Sequence, residues 1–333
     1  MKRQTAIVSA LLVCDLLFVT CNLNAQAPAH WYRGNTHTHT LNSDGENTPD
    51  DVARWYRSNG YQFLVITDHE YLTDAAALNA IFGRDEQFLM IPGQEVTGRA
   101  QGKPVHVNQI GAKKLVMPAV LPTVFEVLQR DINMVRDAGA IAQINHPNFG
   151  WALTADDLTR VENAQLLEIW NGHPQVNNLG GGGTPSAEAM WDTALTAGKR
   201  LFAVADDDAH HFKPEHLADP ASAAPNRGWI YVRAAKLTET DILDAIRRGD
   251  FYASNGVELT DIVSTPASLT VSIKATTFSR YRTEFIGVGG KVLAESLTNP
   301  AVYQFKGDEK YVRARVIESN AKMAWTQPIF FNR

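Results

Sequence analysis

Cysteine is nearly absent from this sequence, which contains Cys14 and Cys21 and no other. Both lie in an N-terminal segment that we expect to be removed as a signal peptide. The mature chain would then have neither a disulfide nor a thiolate metal ligand, which is compatible with a periplasm or the cell exterior. Any metal that it binds must be held by imidazole and carboxylate groups.

The sequence also lacks an uninterrupted apolar run long enough to span a membrane. The segment from Ala6 to Val19 is apolar but contains Asp15, whereas a transmembrane helix needs about 20 apolar residues. A basic start precedes this segment and small residues follow it, with Ala25 and Ala29 as cleavage points. We predict a signal peptide over residues 1–29, a secreted or periplasmic protein, and no membrane span in the mature form.

An excess of positive charge is missing as well. Of the 31 basic and 36 acidic residues, Lys2, Arg3 and Asp15 belong to the leader, which leaves a net charge of −6. Such a chain has no global attraction for long nucleic acids or anionic membranes. The run Gly180–Gly183 lacks the Lys-Ser/Thr ending of a P-loop and is more typical of a lid edge. We expect a small-molecule substrate, and the sequence leaves the oligomeric state open.

Metal-binding side chains recur in a regular order through the first two thirds of the chain. His37 and His39 are two residues apart, so both imidazoles lie on one face of a β-strand and can share a metal. The order of the whole series predicts a multinuclear metal hydrolase. Its members are His37, His39, Asp44, His69, Glu95, His106, His146, Asp208 and His210.

These residues follow segments that have the character of buried strands, and helical stretches separate several of the segments. Thr48 and Pro49 supply an N-cap and a first-turn proline for one helix, and Gly60 suits its C-cap. Alternating strands and helices predict a parallel α/β sheet, most economically a barrel whose strand ends converge on one site. The strand segments are 61–66, 88–92, 140–145, 165–170 and 200–205, and further helical stretches are 120–138 and 186–197.

The composition changes near Asn255. From Gly256 onward, alternating stretches separated by Gly, Asn and Pro read as antiparallel strands, at 269–274, 283–288 and 311–317. We predict a small β-sandwich over residues 255–333 after a barrel over residues 30–254. The sandwich contains no histidine, which assigns it a packing or substrate-wall role.

The order of motifs resembles the PHP (polymerase and histidinol phosphatase) metal-dependent hydrolases, over roughly residues 33 to 253. The resemblance implies a distorted (β/α)7 barrel with two or three divalent metal ions, Zn, Mn or Fe. The motifs that carry it are His37-Thr-His39, Ser43-Asp-Gly45, Thr67-Asp-His69, Gly93-Gln-Glu95, His106, Asn145-His-Pro147 and Asp208-Ala-His210.

The resemblance also implies how the ligands divide among the metals. His37, His39, Glu95 and Asp208 would hold the first ion. Glu95 would bridge to a second ion held by His106 and His146. Asp44, His69 and His210 would hold a third ion. The residues expected to act directly in catalysis are Glu95, His146, Asp208 and His210.

The ligand types fit hydrolytic chemistry. Metals in such sites lie roughly 3.5–4 Å apart and lower the pKa of a shared water, so a metal-bound hydroxide is the expected nucleophile. The first hypothesis is a secreted phosphoesterase acting on phosphomonoesters or nucleotides. Alternatives are a carbamate, ester or amide hydrolase of the same fold, a nuclease, and a non-catalytic binding module. A cavity with few cations and many aromatic side chains would favour the carbamate alternative.

Other features resemble a secreted branch of the PHP proteins, the CehA/McbA group, which hydrolyses aryl N-methylcarbamates such as carbaryl. They include Asn145-His-Pro-Asn-Phe-Gly150 and Trp170-Asn-Gly-His-Pro174. Three further residues are candidates for substrate contact, each with an ordinary structural alternative. They are His173, His211 and Arg227.

Overall fold

The computed structural model describes residues 29–331. Most of the predicted signal peptide, with Cys14 and Cys21, therefore lies outside the described residues. Within residues 29–331, no helix combines the length and the apolar character that a membrane crossing requires.

The described chain alternates strands and helices up to Ser254 and consists mainly of strands after it. In chain order the elements are β1 (His30–Asn35), α1 (Pro49–Ser58), β2 (Phe63–Ile66), α2 (Ala75–Phe82), β3 (Leu89–Ala100), β4 (Lys103–Ile110), α3 (Val124–Asp137), β5 (Ile141–Ile144), α4 (Ala155–Arg160), β6 (Leu166–Asn171), α5 (Ala187–Thr196), β7 (Phe202–Asp206), α6 (Pro214–Leu217), β8 (Trp229–Ala234), α7 (Glu239–Arg248), β9 (Phe251–Ser254), β10 (Leu259–Ser264), β11 (Ser268–Ile273), β12 (Tyr281–Gly287), β13 (Lys291–Ser296), β14 (Ala301–Gln304), β15 (Tyr311–Glu318), β16 (Met323–Thr326) and β17 (Ile329–Phe330).

The helix termini follow their capping residues. The Thr48 side chain accepts a hydrogen bond from the backbone N–H of Asp51, and Pro49 opens α1 as predicted. Gly60 follows the helix with a φ of 79°, in the left-handed region that glycine tolerates. The helix predicted from residue 120 begins only at Val124, because Thr123 and Glu126 form a capping box there.

The sheet is mixed rather than wholly parallel, which corrects the parallel arrangement predicted. β1, β2 and β3 pair in parallel, as do β5, β6 and β7, but β4 is antiparallel to both of its neighbours. β8 pairs antiparallel with β1 on the other side. In residues 29–331 no ladder joins β7 to β8, so the hydrogen-bonded ring predicted for a closed barrel is not complete.

The strands nevertheless curve around a common interior. A parallel bridge between Thr38 and Ala209 joins the segments that follow β1 and β7. The Asn108 side chain of β4 donates to the carbonyl of Thr36, and the Gln143 side chain of β5 donates to Asp206 at the end of β7. The chain is thus a mixed α/β fold in which the first and last strands of this region approach each other.

The C-terminal strands are antiparallel, as predicted, and they lie in two sheets, one of which continues the large sheet. β10, β11 and β14 form a three-stranded sheet, whereas β12, β13, β15 and β16 extend the large sheet through β9. An apolar cluster that includes Leu269, Phe285 and Val316 connects the two sheets. The boundaries at residues 254 and 255 remain a prediction, because the large sheet runs across them.

A buried ionic network joins the C-terminal strands to helix α5. The Arg313 guanidinium is 1 % exposed and donates to Asp192 at 2.6 Å and to Glu188 at 2.8 Å. Arg315 pairs with Glu188 and with Glu284. These pairs fix the C-terminal strands against the helix that follows β6.

The buried carboxyl group of Asp131 on α3 makes the free energy of unfolding depend on pH. Its buried Oδ1 accepts a hydrogen bond from the backbone N–H of Ala119 at 2.7 Å, and Oδ2 has no partner in the described chain. Burial raises the pKa of Asp131 to about 7. Since the native state keeps a proton that the unfolded state has lost, the contribution of this group to stability falls as pH rises from about 4 to 7.

We expect Asp131→Asn to remove this loss of stability at high pH. The asparagine amide cannot ionise, and its oxygen still accepts the hydrogen bond from the backbone N–H of Ala119. Urea unfolding should show the variant gaining about 2–3 kcal/mol over the parent between pH 5 and pH 8. An equal difference at both pH values would contradict an ionising, buried Asp131.

Candidate metal centre

The structure brings all nine predicted ligands to one end of the strands. They arrive from the segments after β1, β2, β5 and β7 and from the paired strands β3 and β4. For eight of the nine, all except His106, the donor atoms form overlapping groups in which nitrogen and oxygen atoms lie within 4.8 Å of one another. The order of residues in the sequence does not give the distances between these donor atoms, which the fold determines.

The first group consists of His37, His39, Glu95 and Asp208. The Nε2 atom of His37 lies 3.3 Å from Glu95 Oε2 and 3.3 Å from Asp208 Oδ1. The Nε2 atom of His39 lies 3.3 Å and 3.2 Å from the same two oxygens. Four donors held at about 2.1 Å around a tetrahedral ion are about 3.4 Å apart. The spacing of this group therefore fits a metal ion.

The second group uses the other oxygen of Glu95. Its Oε1 atom lies 3.0 Å from His106 Nδ1 and 3.3 Å from His146 Nε2. One oxygen of Glu95 thus faces each of the first two groups. This is the position that a bridging carboxylate requires.

The third group is more open to solvent. Asp44 Oδ1 lies 3.3 Å from His210 Nε2 and 3.4 Å from His39 Nδ1, and Asp44 Oδ2 lies 3.4 Å from His69 Nε2. The Asp44 side chain is 55 % exposed, whereas the ligands of the first group are almost fully buried. A cation held here would be the one most accessible from solution.

The buried nitrogens of these groups support cation binding. The Nε2 atoms of His37 and His39 and the Nδ1 atom of His106 are buried without a hydrogen-bond partner in the described chain. Buried polar atoms are otherwise almost always paired, and a metal ion is one explanation of exceptions. Burial acts to raise the pKa of Glu95, but the charges of His37 and His106 outweigh it and hold that pKa well below its usual value.

Two of the ligands occupy strained backbone positions. His146 has a φ of 21° and Asp208 a φ of 48°, in the region that residues other than glycine rarely adopt. Each lies two residues beyond the end of a strand, β5 for His146 and β7 for Asp208. Strain of this kind persists where surrounding contacts over-determine the conformation, commonly at functional sites.

Glu168 on β6, which is not among the predicted site residues, also belongs to the site. Its Oε1 lies 2.5 Å from His37 Nδ1, and its Oε2 accepts from the backbone N–H of His146 at 2.5 Å. Gln143 and Asn171 also donate to this carboxylate. The available signal was a charged residue inside the apolar strand Leu166–Asn171.

Buried amides form the floor beneath the ligands. The Asn145 side chain donates to Glu95 Oε1 at 2.7 Å and to Asn108 Oδ1 at 2.9 Å. Of the two aspartates before Asp208, Asp206 lies beside the first group, with its Oδ1 atom 3.9 Å from His37 Nδ1. His37, Glu168 and Asp206 form a further group of close donor atoms. Asp207 accepts from Tyr56 and from the backbone N–H groups of residues 227 and 228, and Asp206 accepts from Gln143.

The ligands open into a cavity of about 560 Å³, within the size range of small-molecule sites. Ligand residues form part of its lining. The other lining residues are Thr97, Arg99, Pro104, Phe149, Gly150, His173, Gln175 and His211.

The three predicted substrate residues have different positions. His173 lines the cavity, and its Nδ1 accepts from the backbone N–H of Gln175 at 3.2 Å, so the neutral ring carries its proton on Nε2. Burial, opposed by Asp208, lowers the pKa of His173 to about 4. His211 also lines the cavity. Its Nδ1 atom is hydrogen-bonded to the Ser222 hydroxyl and accepts from the backbone N–H of Ala223.

Arg227, by contrast, is not among the described residues that line the cavity. Its guanidinium donates to the carbonyls of Asp219 and Gly172, and its backbone N–H donates to Asp207. These bonds hold the segment after α6 against the loop after β6. These hydrogen bonds are those of the structural alternative for Arg227, and its contact with a substrate stays a prediction.

Comparisons with known proteins establish the fold. No family profile matches the sequence, and no curated protein matches it. A two-domain protein from Bacteroides vulgatus, which contains a predicted PHP-like metal-dependent phosphoesterase, is similar in structure with a TM-score of 0.51 and 15 % identity. The match covers 90 % of this chain and 96 % of that one.

Two smaller structures match about half of this chain. A protein from Bifidobacterium adolescentis, described as a putative metal-dependent phosphoesterase, has a TM-score of 0.39 and 16 % identity over 53 % of this chain and 87 % of its own. An amidohydrolase from Chromobacterium violaceum has a TM-score of 0.38 and 17 % identity over 54 % and 87 %. The match to the Bacteroides protein confirms the predicted resemblance to PHP-like proteins at the level of the fold, and the narrower resemblance to the CehA/McbA group stays a prediction.

Proposed function

We propose that this protein is a metal-dependent hydrolase, and specifically a phosphoesterase acting on phosphomonoesters or nucleotides. The observation that carries the proposal is the position of Glu95 between two groups of buried donors, with a third group beside them at the base of one cavity. The Bacteroides protein of similar fold contains a predicted PHP-like metal-dependent phosphoesterase, which supports the same choice.

The chain supplies ligands for two or three divalent ions, in the three groups described above. When bound, such ions lower the pKa of a water and stabilise charge on a phosphoryl oxygen. Glu168 and Asn145 hold His37 and Glu95 in place through hydrogen bonds. The Nε2–H of His173 is available for a hydrogen bond to an oxygen of the substrate. Zinc, manganese and iron all suit this set of imidazoles and carboxylates.

We also propose that the enzyme works outside the cytoplasm. The support is the sequence of residues 1–29, with its basic start, interrupted apolar segment and small residues. The mature chain would lack cysteine, which suits an oxidising compartment.

A carbamate, ester or amide hydrolase is the second candidate. The described cavity lining contains one arginine and no lysine, and Phe149 lies against His146 with ring centroids 5.1 Å apart. Few cations and an aromatic wall are the features expected for a neutral acyl substrate.

The two candidates separate in a direct assay. We expect the purified, metal-loaded protein to release p-nitrophenol from p-nitrophenyl phosphate, to lose that activity with a chelator, and to regain it with added Zn²⁺ or Mn²⁺. The same sample should leave 1-naphthyl N-methylcarbamate intact. Hydrolysis of the carbamate alone would favour the carbamate hydrolase, the second candidate. Activity that survives complete metal removal would contradict both candidate functions.

A further inference from the structure

The β3–β4 hairpin presents a ladder of side chains along one wall of the cavity. Glu95, Thr97 and Arg99 alternate along β3, so they share one face, and all three line the cavity. Their register partners on β4 are Asn108, His106 and Pro104. The ladder therefore runs from the bridging carboxylate at the base to Arg99 at the rim.

Arg99 is a cation that the described chain leaves without a partner. It is exposed, and no carboxylate, carbonyl or aromatic ring of residues 29–331 binds its guanidinium. Nearby cations are engaged: Lys103 donates to the carbonyl of Trp151, and Lys213 pairs with Glu46. Among the described residues that line the cavity, Arg99 is the one lysine or arginine.

We propose that Arg99 binds a second anionic group of the substrate, a carboxylate or phosphate remote from the group that is cleaved. The inference rests on the proposed function and defines its substrate class. Arg99 lies four residues from Glu95, which separates their Cα atoms by roughly 13 Å along an extended strand. Since both side chains reach into the cavity, the two anionic groups of the substrate would be on the order of 10 Å apart.

The cavity between these two ends suits an organic linker. Phe149 is half-buried, packs edge-on against His146 and at a tilt against His106, and lines the cavity together with Pro104. A guanidinium can bind a carboxylate or a phosphate through two parallel hydrogen bonds, which an ammonium cannot reproduce. An apolar wall with an unpaired arginine at its outer end thus fits a phosphomonoester that carries a distal anion.

The test compares three series of straight-chain phosphomonoesters of increasing length. One series is unsubstituted, one ends in a carboxylate and one ends in a second phosphate. We measure kcat/KM by phosphate release for the parent, for Arg99→Gln and Arg99→Lys, and for Arg136→Gln as a control. Arg136 is an exposed arginine on α3 and does not line the cavity.

In the parent, kcat/KM should rise about tenfold over the unsubstituted ester once the chain reaches Arg99, which corresponds to one charge-assisted hydrogen bond at a partly exposed site. Arg99→Gln should remove this gain and leave the unsubstituted esters within about twofold, and Arg99→Lys should restore part of it. The series with the larger gain identifies the preferred anion.

Two outcomes would overturn the inference, and both differ from failure of the proposed function. An equal loss for charged and unsubstituted esters would give Arg99 a structural role. A gain that persists in Arg99→Gln would place the anion elsewhere. If the parent hydrolyses no ester in any series, the proposed phosphoesterase fails, and the inference fails with it.

Discussion

Asp208→Asn should abolish metal-dependent hydrolysis while the protein still folds. Asp208 Oδ1 lies 3.2–3.3 Å from the Nε2 atoms of His37 and His39, and the charge that it supplies is lost in the amide. We expect kcat/KM to fall by at least about 10³-fold, more than the 10- to 100-fold typical of a group that only orients a ligand. Elemental analysis should show fewer metal ions for each chain.

The control is Asp156→Asn, which removes an exposed carboxylate from α4, where it pairs with Arg160 on the surface. It should retain full activity and metal content. Circular dichroism should give both variants the parent spectrum, which separates a lost ligand from a lost fold. Full activity in Asp208→Asn would contradict the assignment of this residue to the metal centre.

Glu168→Gln should weaken metal binding without touching a ligand. The Glu168 carboxylate accepts from four donors: His37 Nδ1, the backbone N–H of His146, and the side chains of Gln143 and Asn171. A glutamine offers one oxygen and places its NH₂ group against the remaining donors. His37 then loses the carboxylate that holds its ring with Nε2 facing Glu95 and Asp208, where it would bind a metal ion, and metal affinity should fall about 10- to 100-fold.

Competition with a chromogenic chelator measures this change independently of activity. At saturating metal the variant should recover most of its kcat, because every ligand is still present. If Glu168 served only the fold, Glu168→Gln would lower the midpoint of thermal unfolding and leave metal affinity unchanged. That result would contradict a role for Glu168 in positioning His37. Unchanged affinity together with a low kcat would also contradict that role, since Glu168 is fully buried and does not line the cavity.

Much of the site could be predicted because its ligands stand in local sequence contexts. His69, His146 and Asp208 each come just after a short buried strand, and parallel strands bring such ends together. The helix α1 could also be predicted with its cap, since Thr48 and Pro49 act within one turn. These features depend on residues that are close together in the sequence, so they could be predicted from the sequence alone.

The β3–β4 hairpin could not be predicted in the same way. The strand predicted over residues 88–92 stops before Glu95, but β3 continues to Ala100 and pairs with β4. The connecting residues Gln101 and Gly102 both have positive φ, as in the tight hairpin turns that Asn-Gly more often signals. Without that signal, the sequence did not predict the strand that carries His106. It also did not predict that Arg99 lies at the rim of the cavity.

Long-range pairing explains the remaining differences. The C-terminal strands were predicted from their alternation, but alternation does not say which sheet a strand joins. β16 pairs with β9, which makes β12, β13, β15 and β16 an extension of the large sheet, whereas β10, β11 and β14 form a sheet of their own. The Arg313 network with Asp192 and Glu188 depends on that pairing, across more than a hundred residues of sequence.

The most direct test of a multinuclear centre is a metal count on the purified protein. Elemental analysis of the chain after exposure to Zn²⁺ or Mn²⁺ and removal of unbound ions should give two to three ions for each chain. His37→Ala, which removes a ligand of the first group, should lower that number. A parent chain that retains no metal under these conditions would contradict the central claim.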